Sequence, residues 1–128
     1  AIKRDLMLAN ELADLVRDSR VQFEYIVGED AITKARIASF IDLHISNAGS
    51  GCIWTSRFLN KPGLLHLSNV AYAVAKDITL YGSNSIIYPL EKTLDLVAED
   101  ESRKKFASYR VDIPHFIRML EELISRVL

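Results

Sequence analysis

The stretch from Leu64 to Tyr81 is the least polar part of the chain, and any fold the sequence adopts has to hide it. Leu64, Leu67, Ala71, Val74, Ile78 and Tyr81 recur at three- and four-residue steps, while Val70, Ala73 and Leu80 carry apolar character further round. This spacing predicts a helix with too few polar positions to face water. Such a helix belongs at the centre of a bundle or is shared with a second subunit.

The rest of the chain reads in the same period. Ile2, Leu6, Ala9, Ala13, Val16, Phe23 and Val27 predict a helix over 1–27, stopped by Gly28, although the alternation Val21, Phe23, Tyr25, Val27 makes a short strand the rival there. A second helix opens at Glu29 or Asp30 and runs through Ala31, Ala35 and Ala38 to Ile45. Residues 46–59 are helix or loop, and Asn60-Lys61-Pro62-Gly63 is a turn. A fourth helix passes through Leu90, Leu94 and Val97. Asp112 as cap and Pro114 in the first turn open the last helix, with Leu120, Ile124 and Val127 on one side together with Phe116 or Ile117. No internal repeat and no dividing linker stands out. The expectation is an all-α fold, a single helical domain over 1–128 built as a bundle of about five helices.

Composition removes several classes of function. A chain of 128 residues holds one core of useful size. Sixteen Lys and Arg against seventeen Asp and Glu leave a net charge of −1, so no overall basic field draws nucleic acid or anionic lipid. The basic run Arg103-Lys104-Lys105 follows Glu99-Asp100-Glu101, which cancels most of its field. The single Cys52 excludes an intrachain disulfide and an all-cysteine metal site, and fits a reducing, cytoplasmic compartment. No apolar run reaches the roughly 18 residues of a membrane span.

Chemistry-bearing residues are sparse. His44, His66 and His115 fall on different predicted helices without a ligand partner one turn away, so neither metal nor cofactor is expected. Asn47 to Arg57 is the most unusual segment: a Gly-Ser-Gly turn opening a short helix offers backbone N–H groups to an anion, with Arg57 as a fork of donors. It matches neither phosphate-loop pattern. Ser50 and Cys52 lack an identifiable base, and no catalytic residue is assigned. Asp42 and Asp77 interrupt apolar helices as buried polar contacts that fix register.

The excess of apolar helix surface therefore predicts a protein-interaction or oligomerisation module that binds other protein chains, including a copy of itself in a dimer or larger assembly. Its interface is expected around Tyr81 and the run Ile86, Ile87, Tyr88 and Leu90. The alternative is a small-molecule or anion sensor with a pocket between helices lined by His44, Asn47, Ser50, Trp54 and Arg57. A small helical enzyme is the third class, and it lacks a visible constellation.

Overall fold

Leu64 and Leu65 are adjacent, and both are fully buried, at 1% and 0% exposure. A strand covered on both faces buries neighbours in this way, whereas a helix covered on one side does not. The computed structural model describes residues 2–48, 52–74, 83–96 and 109–128. It corrects the all-α expectation: the protein is mixed α/β, with a three-stranded parallel sheet and a two-stranded antiparallel pair. The chain divides into two compact units, Ala1–Ile41 and Asp42–Leu128.

In the first unit, α1 covers Ile2–Leu15 rather than the whole of 1–27. Leu6, Ala9, Leu12 and Ala13 are half-buried along one side, as their spacing requires. The helix stops because Asp18 offers the backbone another partner: its carboxylate accepts from the Arg20 N–H at 3.0 Å and from the Arg20 guanidinium at 2.8 Å. Beyond this turn Val21, Phe23 and Tyr25 are half-buried and Gln22 and Glu24 exposed, so the alternation in the sequence wins over the helical stripe. Gly28 supplies the left-handed turn at φ 79°. Helix α2, Ala31–Phe40, begins at Asp30, whose Oδ1 accepts from the Thr33 N–H at 2.7 Å. It ends before Ile41, which is extended, so it does not run on to Ile45.

In the second unit the strands are β1 (His44–Asn47), β2 (Gly63–His66) and β3 (Ser85–Ile87), in spatial order β1-β2-β3 and all parallel. Between β1 and β2 lies a π-helical segment, Ile53–Phe58, closed by the Leu59 N–H to the Trp54 carbonyl at 3.1 Å. Its widening has a local cause. The Thr55 and Ser56 hydroxyls, both buried, donate to the Cys52 carbonyl at 3.1 and 2.7 Å and compete with the backbone. Asn60 then turns the chain at φ 46°.

The helix expected over Leu64–Tyr81 is thus interrupted: Gly63–His66 is a strand and a helix, α3, covers Asn69–Val74, while 75–81 lie outside the described residues. Ser68 separates the two: its Oγ accepts from the Ala71 N–H at 2.9 Å. The fourth predicted helix is instead a 3₁₀ turn, Leu90–Lys92, leading into β4 (Thr93–Asp95). Strand β4 pairs antiparallel with β5 (Tyr109–Val111). Helix α4, Ile113–Val127, has the expected Asp112 cap and Pro114 in its first turn, and buries Phe116, Leu120, Leu123 and Ile124. Tyr88 joins this core, its ring 5.1 Å from that of Phe116. Among the described residues, no helix is long and apolar enough to cross a membrane.

At Gly63 in β2 a side chain would collide: a Cβ there would fall inside the His44 imidazole. Gly63→Ala should therefore force His44 off its strand and lower stability by about 1–3 kcal/mol in urea denaturation. Ser85→Ala, which removes only one hydrogen bond, should cost about 1 kcal/mol.

Candidate functional site

Parallel pairing puts the last residues of β1 and β2 side by side: Asn47 is the register partner of His66. Strand β5 brings a third side chain to the same edge. The Tyr109 hydroxyl accepts a short hydrogen bond from Asn47 Nδ2 and lies 2.7 Å from His66 Nδ1. The His66 ring also stands edge-on to Phe116, centroids 6.0 Å apart, which ties this edge of the sheet to α4. Strand β5 is held there through its partner: Asp95, opposite Tyr109 in register, accepts from the N–H groups of Asn69 and Val70 at 2.8 and 3.0 Å.

The electrostatics of the cluster are those of neutral groups. Burial pushes His66 down to about 4. Burial also pushes the Tyr109 phenol up to about 12; the hydrogen bond from Asn47 works against this and the Asp95 charge adds to it. Near pH 7 the imidazole is neutral. Asn47 donates to the phenol oxygen, which shares a hydrogen bond with His66 Nδ1 and also lies 3.4 Å from the His66 carbonyl oxygen. Asn47 is exposed, whereas His66 and Tyr109 are half-buried behind it.

A second polar cluster sits at the opposite end of the sheet. His44 is buried across Gly63, with Nδ1 2.9 Å from Ser46 Oγ and Nε2 3.2 Å from Ser85 Oγ. Burial holds it down to about 4 as well. This is an imidazole solvated by two hydroxyls, and it joins β1 to β3 over the strand between them.

The five residues proposed for a pocket are therefore not gathered. His44 and Asn47 occupy opposite ends of β1, about 10 Å apart at the rise of a strand, and alternate to opposite faces. Trp54 and Arg57 lie on the exposed side of the π-helical segment, and Ser50 lies outside the described residues. Of the interface residues, Tyr88 is 1% exposed, its hydroxyl donating to the Asp112 carbonyl at 3.2 Å. Ile86, Ile87 and Leu90 are half-buried, and Tyr81 lies outside the described residues, as do Asp77 and Arg103-Lys104-Lys105. Among the described residues, no group of three or more His, Cys, Asp or Glu is placed to hold a metal ion.

His66 and Tyr109 escape the sequence reading because 43 residues separate them. One signal was available. The run Leu-His-apolar-Ser-Asn occurs twice, as Leu43–Asn47 and Leu65–Asn69, a short internal similarity that a helical template passes over. The first copy forms β1; the second begins in β2 and ends in the cap of α3.

Comparison with known protein families, characterised proteins and solved structures finds no match.

Both buried histidines take up protons more readily unfolded, near 6.5, than folded, near 4. Their contribution to stability is complete above about pH 6.5 and is lost as pH falls towards 4, on the order of 2–3 kcal/mol for each histidine. The carboxyl of Asp18, held to about 2 by Arg20, titrates below this window. Urea midpoints measured between pH 8 and pH 4 should be flat at first and then fall, and His44→Gln should make the fall shallower.

Proposed function

We propose that the chain is a protein-interaction module that pairs with a second copy of itself through the outward side of the π-helical segment. The observation that carries this reading is the Trp54–Phe58 pair. The two rings touch at a centroid distance of 5.3 Å, yet Trp54 is 38% and Phe58 61% exposed, and Leu59 follows at 40%. Trp is the side chain most enriched among residues that dominate binding energy, and an aromatic body with a flanking Arg57 is the usual composition of an interface centre and rim.

The segment is also stiff, which favours binding. Thr55 and Ser56 face inward and hold the Cys52 carbonyl, so the aromatic side is presented without first having to be ordered. Leu64, Leu65, Leu67 and Tyr88 are consumed by the core, and the exposed apolar residues of the second unit include Trp54, Phe58 and Leu59.

Light scattering behind a sizing column, over a range of concentrations, tests the proposal. The chain should form a dimer or larger species, and Trp54→Ser with Phe58→Ser should weaken association at least tenfold while leaving the thermal midpoint nearly unchanged. A monomer at every concentration, or an assembly indifferent to the double substitution, overturns it. Tyr88→Asp should act differently: it buries a charge in the core and should unfold the second unit, with a loss of about 3 kcal/mol or more.

A further inference from the structure

An exposed asparagine ordinarily moves freely, and Asn47 does not. Its Nδ2 donates to Tyr109, whose hydroxyl is itself fixed by His66, and all three come from different strands. The supporting pair lies half-buried behind it while Asn47 itself is exposed. A surface carboxamide held in one orientation by a relay of partly buried groups is what a recognition group needs: its position is set before anything binds, so little freedom is lost on binding.

We infer that Asn47 is a pre-oriented recognition group at the carboxyl end of β1 for a small uncharged molecule that presents a hydrogen-bond donor beside an acceptor, such as a carboxamide or the edge of a nucleobase. The bond to Tyr109 uses one N–H of the carboxamide, and a primary amide has a second N–H and a carbonyl oxygen with which to pair. The same donor-and-acceptor edge lets asparagine read adenine in nucleic acids. Charge argues for a neutral ligand. The Tyr109 phenol and the His66 imidazole stay neutral near pH 7, and among the described residues the ionised group acting on Tyr109 is the Asp95 carboxylate, which repels anions. The site differs from the Trp54–Phe58 surface and does not depend on self-association.

The test is a titration of the ¹⁵N-labelled full chain with nicotinamide and adenosine, alongside nicotinate, adenosine monophosphate and inorganic phosphate. Nicotinamide or adenosine should shift the Asn47 side-chain amide, and the anionic analogues should shift it several-fold less. Tyr109→Phe, which keeps the ring and releases the carboxamide, should weaken the uncharged probe about fivefold, the worth of one hydrogen bond. Asn47→Ala should abolish the accompanying shift of the Ala48 backbone amide. The inference is overturned if no probe moves the Asn47 amide, if phosphate or the charged analogues move it most, or if Tyr109→Phe binds like the unmodified chain.

Discussion

The second unit depends on one strand having neighbours on both sides. Gly63–His66 carries the ladder bonds to β1 and to β3, and its two leucines are covered above and below. That arrangement is possible only because Gly63 has no side chain. The vacated volume is filled by the His44 ring, which reaches across to Ser85 and links the two outer strands by a second route. An imidazole in such a place has to be satisfied at both nitrogens, and the hydroxyls of Ser46 and Ser85 do this without introducing charge.

The two ends of this sheet are built for different purposes. At the amino end the polar groups are consumed internally: His44 by two serines, and the turns before β2 and β3 by each other, through Asn84 Nδ2 donating to the Asn60 carbonyl at 2.8 Å. At the carboxyl end the relay His66–Tyr109–Asn47 runs from partly buried to exposed and stops at a side chain with bonding capacity to spare. The carboxyl end of a parallel sheet is also the end at which such sheets usually bind ligands.

Local signals in the sequence were read correctly where the structure they encode is local. Asp30 caps α2, and Asp112 with Pro114 opens α4 over the apolar positions Phe116, Leu120 and Ile124, whereas Gly28 takes a left-handed turn without ending a helix, since α1 stops at Leu15. A helix with one buried side announces itself at every third and fourth residue. The strands did not. Leu64-Leu65 is apolar on both faces, so it carries no alternation, and over so short a run it fits a helical stripe equally well. The fold class was misread for this reason. The candidate site was half legible: Asn47 was singled out, but its partners are supplied by β2 and β5, and only the pairing of strands reveals them.

Helix α3 has a consequence for how the chain acquires its structure. Its first amides are held by Asp95, 26 and 25 positions further along than Asn69 and Val70, as well as by Ser68 close at hand. A nascent chain that has not yet reached Asp95 therefore has only part of this helix's cap. The rest arrives with β4, so α3 and the β4–β5 pair should appear as one kinetic event, with loop closure rather than helix propagation setting its pace.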